Sequence, residues 1–321
     1  MPAEAATDGT AAMQTSGVIH DLGYRRYDGP RLGRRRIVAA LAWHSFRSAF
    51  GLGRGAKAKV VPVIAFLALC LPAVVNAFAM SRGNARVVDY DTYTPVLRNL
   101  IMIVFVAVQA PELVSRDLRS RVLPLYLSRP IKTGDYPLAK YPGFTAALLV
   151  MLEVPLLLLY AGSIANVHGG SAVWAETRAL IPGLLVALMF AVVLAAIGLV
   201  LASLTGRRAF ATGAVAIFFL LTYTLAEILL QVESQATRGG PAFGLGVGGP
   251  PAVPLAEKVA GLFSPFTLFD GVRMWLGGPS HHADNVADPG GFGAAYALVL
   301  LILFGLCLYG LAARYRKARL S

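Results

Sequence analysis

The sequence predicts an all-α integral membrane protein with six spanning helices, and three observations carry that prediction. Of the 321 residues, 56% are hydrophobic and only 14% are charged, a balance that belongs to a chain housed in lipid. The apolar residues gather into runs at 60–80, 96–114, 144–164, 180–204, 210–230 and 292–313, each near the length of about 20 residues that crosses a bilayer as a helix. The basic residues cluster in alternate connections between those runs.

Composition also removes other classes. A formal charge of +12 would suit a nucleic-acid partner, but the arginines flank apolar runs and build no single basic-aromatic face. No nucleic acid is expected. Cys70 and Cys307 each lie inside an apolar run, where a thiol behaves as a small buried hydrophobe. Neither a disulfide framework nor a metal site follows from them.

In chain order, residues 1–22 open with Ala, Thr, Gly and Ser and lack the apolar core of a signal peptide, so they are expected to be a disordered tail. Residues 23–59 form a basic amphipathic segment with Arg25, Arg26, Arg31, Arg34, Arg35 and Arg36. Val38, Leu41, Ala42, Phe46 and Ala49 then fall near helical spacing, with Ser45 and Arg47 off that stripe. This predicts an interfacial helix held by anionic headgroups. His44 has no second ligand near it in sequence and is expected to be a polar surface residue.

Six spans return both ends of the chain to one side. Lys and Arg accumulate in cytoplasmic connections, and here they crowd the N-terminal segment, the 115–141 connection, the Gly206-Arg207-Arg208 turn and the 314–321 tail. Both termini are therefore expected in the cytoplasm, with the chain a multi-pass protein of the plasma membrane. The last outer connection opens with a Gly- and Pro-rich linker, whose Gly244 and Gly246 mimic a dinucleotide loop without the strand and helix such a loop needs. The following 257–276 segment is broken at Ser264-Pro265 and Asp270-Gly271. It fits two short helices re-entering the membrane better than one segment lying flat upon it.

The chain shows little sign of chemistry of its own. Residues 51–58, GLGRGAKA, have neither the spacing nor the Ser or Thr of a phosphate-binding loop, so this chain alone is not expected to hydrolyse ATP or to be an enzyme. Ionisable groups at membrane depth are costly and usually functional. Glu153, just before Pro155, and Glu227, near the outer end of its span, are the candidates, as a transport-pathway contact or as a polar lock between helices. Asn76 and Gln109 are weaker polar neighbours, and Glu112, after Pro111, is expected to face headgroups or the adjoining loop. His281 and His282 with Asp284 and Asp288 lack a spaced second ligand pair and are expected to form an ordinary loop without metal.

The connection after the second span is dense in charge yet carries Val122, Leu125, Tyr126 and Leu127 at short helical spacings, ended by Pro130. Its ordered pieces are Asp117-Leu118-Arg119, Leu125-Tyr126, Arg129-Pro130, Asp135-Tyr136 and Lys140. That series resembles the loop after the second span of ABC-2 type ABC transporter permeases, with Ala139 where a Gly often precedes the final Lys. The resemblance implies a coupling helix that docks on a separate ABC ATPase subunit, with Asp117, Arg119, Leu125, Tyr126, Arg129, Asp135, Tyr136 and Lys140 at the contact. It also implies a second permease copy or a sister chain, membrane lipids around the pair, export as the direction, and a pair of re-entrant helices between the fifth and sixth spans. ATP and Mg would be bound by the partner, with no cofactor on this chain. The N-terminal helix is then either a basic anchor or a further ATPase contact. Two other classes stay open: an ion-coupled secondary transporter using Glu153 and Glu227, against which the absence of inverted halves weighs, and a non-transporting membrane scaffold.

Overall fold

The computed structural model describes residues 29, 33–83, 87, 90, 95–119, 134–238, 255–276 and 290–318. Contacts divide the chain into Met1–Leu32 and Gly33–Ser321, and only Gly29 of the first unit is described. The expected tail at 1–22, the arginine-rich start of 23–59, the 239–254 linker, the His281-His282 loop and residues 319–321 all lie outside the described residues.

Among the described residues the second unit is helical, with no strand. Its helices are α1 (Arg34–Ala49), α2 (Ala56–Ser81), α3 (Pro95–Arg119), α4 (Asp135–Ile164), α5 (Gly170–Leu204), α6 (Arg208–Arg238), α7 (Leu255–Ala260), α8 (Pro265–Trp275) and α9 (Gly293–Ala318). Six of these, α2 to α6 and α9, are long and apolar enough to cross a membrane, in the order the sequence predicts. The reason is visible on α2, where Val60, Val63, Leu67, Leu71, Val74 and Phe78 stand exposed at three- and four-residue spacing. Such a face is stable only against lipid or another apolar surface. By contrast 67% of the α3 span is buried inside the bundle, against 22% for α6 and α9, which makes α3 a central helix.

The long helices run antiparallel in sequence order, as contacts at both ends require. At one end Arg34 of α1 meets Asp135 at the start of α4, Asp117 at the end of α3 meets Lys140, and Arg314 of α9 donates to the Ser203 carbonyl at the end of α5, 3.0 Å away. At the other end the Val87 N–H donates to Asn76 of α2 at 2.8 Å, Tyr90 reaches Glu176 of α5 at 2.8 Å, and Tyr160 of α4 pairs with Thr177 of α5 at 2.8 Å. The first end gathers the arginines and is called the basic end below.

Two boundaries differ from the sequence expectation in an informative way. Helix α4 begins at Asp135 and not near 144, so Asp135, Tyr136 and Lys140 are helical residues and not loop residues. Pro137 does not stop it, because a proline in the first turn removes an N–H that has no intrahelical acceptor there. Helix α5 likewise begins at Gly170, before its apolar run. Both extensions carry polar residues that continue a helix without adding apolar length.

Helix α1 packs against α4 and α3. Its buried residues are Leu41, Ser45 and Ala49, so Ser45 lies on the apolar stripe and not off it. Ser45 is tolerated there because its hydroxyl donates to the Leu41 carbonyl at 2.8 Å. The two helices approach so closely at Gly143 of α4 that a Cβ there would collide with the Ala42 carbonyl and the Ser45 side chain. The turn into α2 depends on Gly51, whose φ of +68° suits glycine and whose added Cβ would strike the Ala58 backbone.

Between the fifth and sixth spans, α7 and α8 fold into the bundle. Ser264 caps α8, accepting from the Phe266 N–H at 3.2 Å, with Pro265 in the first turn. Thr267 donates to the Gly261 carbonyl at 2.6 Å, and Tyr296 of α9 donates to the Lys258 carbonyl at 2.6 Å. Phe266 then lies among Phe190, Phe219 and Tyr223 at centroid separations of 5.6, 5.8 and 5.9 Å. Phe219 sits midway along the α6 span Arg208–Leu229, a depth that a segment lying flat on the membrane would not reach. This packing of α8 against mid-span residues suits the re-entrant arrangement expected from the broken 257–276 sequence better than a segment lying flat.

Candidate functional site

The described part of the 117–140 stretch converges at the basic end. Asp117 comes from the last turns of α3, and Tyr136 and Lys140 share one face of α4 because they are four residues apart. Lys140 Nζ lies 2.9 Å from the Asp117 carboxylate, which also accepts from the Tyr136 hydroxyl. The ammonium stands 5.3 Å from the centre of the Tyr136 ring. Lys140 is 4% exposed and Tyr136 1% exposed, so a buried ammonium meets a partly buried carboxylate whose partners a hydroxyl donor completes.

Two further helices close on that clasp. Arg34 of α1 donates Nε to Asp135 at 2.6 Å and a second, terminal N–H to the other carboxylate oxygen, a two-pronged geometry that fixes orientation as well as charge. That hydrogen bond raises the already high pKa of Arg34. On α9, Tyr315 is 1% exposed and packs its ring 5.0 Å from Tyr136. On α1, burial and then the nearby Lys140 charge push the His44 imidazole below its usual pKa, which favours the neutral ring. The arrangement ties the two ends of residues 120–133 to each other, and both to α1 and α9. Leu125, Tyr126 and Arg129 lie outside the described residues, as does the side chain of Arg119, the residue that ends α3.

Sequence reasoning missed a second node. Glu112 does not face headgroups or the loop: its side chain is 5% exposed and lies between Arg54, at 2.7 Å, and Arg208, at 2.6 Å. This joins the α1–α2 turn, α3 and the start of α6. The available signal was an acid at the end of a span whose two neighbouring basic turns fall on the same side. Arg34 and Tyr315 left no comparable trace, since their partners are remote in sequence.

Among the described residues Glu153 makes no hydrogen bond or ion pair that would bring it into one site with Glu227. Glu227 hydrogen-bonds Tyr223 one turn earlier on α6, and the Tyr223 ring packs on Phe266 of α8. Glu153 is half-buried on α4, and among the described residues it has no hydrogen-bond or ionic partner. A small cavity of ≈ 20 Å³, room for about one water, lies between α2, α3, α4 and α5 and is lined by Leu69, Tyr90, Arg98, Pro155 and Phe190 among others. Arg98 is held there by stacking 4.8 Å from the Phe190 ring centre and by Asp270 of α8 at 3.8 Å. Glu153 is not among its lining residues. Among the described residues no three metal-ligating side chains converge.

No protein-family model matches the chain, and no curated protein matches it either. Fold and geometry define a class: the chain is an all-α, multi-pass membrane protein with six candidate spans. That architecture is consistent with a transport-related role.

Proposed function

We propose that the chain is the membrane-spanning permease subunit of an ATP-binding cassette exporter of the ABC-2 type, driven by a separate ATPase that docks on the 117–140 stretch. The observation that carries this is the clasp. A segment that relays force from a partner must have its ends fixed to the helices it moves. Asp117, Tyr136 and Lys140 fix the ends of 120–133 to α3 and α4, while Arg34 and Tyr315 extend the hold to α1 and α9. A push on 120–133 would thereby reach four helices through short contacts, buried at Tyr136, Lys140 and Tyr315. The partner would bind ATP and Mg, and a second copy or sister chain would complete the pathway.

Purification of the tagged chain from its native membrane tests this. An ATP-hydrolysing subunit is expected to co-purify, and its hydrolysis rate to depend on the permease being present. A chain that purifies without any nucleotide-binding protein from membranes where it is active would contradict the assignment.

A further inference from the structure

The Gly206-Arg207-Arg208 turn carries a basic, concave surface that the clasp does not use. Glu112 supplies one carboxylate to two guanidinium groups, Arg54 at 2.7 Å and Arg208 at 2.6 Å. Arg207 is exposed, lies 6.0 Å from the centre of the Phe210 ring, and has no acidic partner among the described residues. Two arginines thus share one carboxylate and Arg207 stands beside them without one, so positive charge is left over at this edge of the bundle.

Beside these arginines lies a wide, open groove of ≈ 1120 Å³, bordered by Val108 of α3, by Gly206 and Arg207 of the turn, and by Arg208, Ala209, Phe210 and Thr212 of α6. Val108 is seven residues inside the end of the Arg98–Ser115 span, a depth of roughly 10 Å at 1.5 Å per residue. The groove therefore runs from the level of the arginines into the apolar layer. Phe210, on its wall, is 63% exposed. A ligand that suits both ends carries negative charge at the arginines and a hydrocarbon chain along Val108 and Phe210.

We propose that this groove binds an anionic phospholipid, its phosphate held by Arg207 and Arg208 and one acyl chain lying along the seam of α3 and α6. Inorganic phosphate would match the charge and leave Val108 and Phe210 uncovered. A zwitterionic lipid brings an ammonium group that opposes the surplus arginine charge. The site needs only the membrane fold, and its existence does not depend on the ATPase assignment.

Native mass spectrometry of the full chain in detergent, titrated with phosphatidylglycerol or with phosphatidylcholine of the same acyl chains, tests the proposal. The phosphatidylglycerol is expected to bind more tightly. Arg207→Gln, at an exposed turn, is expected to weaken that binding about fivefold, the factor one arginine contributes at an anionic membrane surface. Glu112→Gln removes the competing carboxylate, frees Arg54 and Arg208, and is expected to strengthen it. Equal binding of the two lipids would overturn the proposal, as would unchanged phosphatidylglycerol binding in both variants. Displacement of the lipid by inorganic phosphate at comparable concentration would reduce the site to an ion site and overturn it too.

Discussion

Among single residues, the buried ammonium of Lys140 is a costly arrangement. An ionised group at 4% exposure is tolerated only when its partner is in place, and Asp117 at 2.9 Å is that partner. Breaking such a pair from one side typically costs about 3–5 kcal/mol, whereas replacing both members by apolar groups is often close to neutral. Asp117→Ala is therefore expected to lower the melting temperature in detergent sharply, and Asp117→Leu with Lys140→Met to recover most of the loss. A single variant that melts with the parent would show the pair to be solvated. Glu153 makes the opposite case, because it has no partner to lose among the described residues. Under the proposed permease reading, a carboxyl kept at that cost is expected to serve transport rather than folding. Glu153→Gln, which keeps volume and hydrogen-bonding capacity, is expected to accumulate normally and transport poorly. Normal transport by Glu153→Gln together with failure of Glu153→Ala to accumulate would make the residue a structural lock.

For the helices themselves, what the sequence displayed was hydrophobic length. Each of the six apolar runs is a helix here, since a bilayer admits few other solutions for such a run. The first turns of α4 and α5 could not be read the same way, because Asp135 to Lys140 and Gly170 to Arg178 carry polar side chains that a hydropathy pattern assigns to connections. The described members of the series, Asp117, Tyr136 and Lys140, do meet in space, but the sequence did not show what else they meet: Arg34 lies 101 positions from Asp135, and nothing local announces such a pairing. Ser45 misled for a related reason. A hydroxyl that bonds its own helix at Leu41 behaves as a small packing residue, and the space it fills is set by Gly143. Gly143→Ala accordingly places a methyl group against the Ala42 carbonyl. It is expected to push α1 off α4, read as faster proteolysis between α1 and α2 and a lower melting temperature. An unchanged digestion pattern would mean that α1 is not held by that approach.

For the whole molecule, the arginine-rich turns, the clasp and the Glu112 node all share one end of the bundle. If charge bias sets orientation, that end faces the cytoplasm. Cysteines placed at Ser128 and Ser321, in a background without Cys70 and Cys307, should then resist membrane-impermeant reagents in intact cells, while those at Ser171 and Ser280 react. Reaction at position 128 from outside would reverse the layout and remove any ATPase from reach. The central claim is that force enters through 120–133, and the most direct measurement is made on that segment. Truncating an aromatic anchor at an interface commonly costs about 2 kcal/mol, roughly thirtyfold in affinity. Tyr126→Ala combined with Arg129→Glu lies outside every span, so the protein should insert and melt as the parent does, yet lose its ATPase on purification or leave hydrolysis uncoupled from transport. A double variant that inserts, keeps its ATPase and transports at the parental rate would contradict the claim.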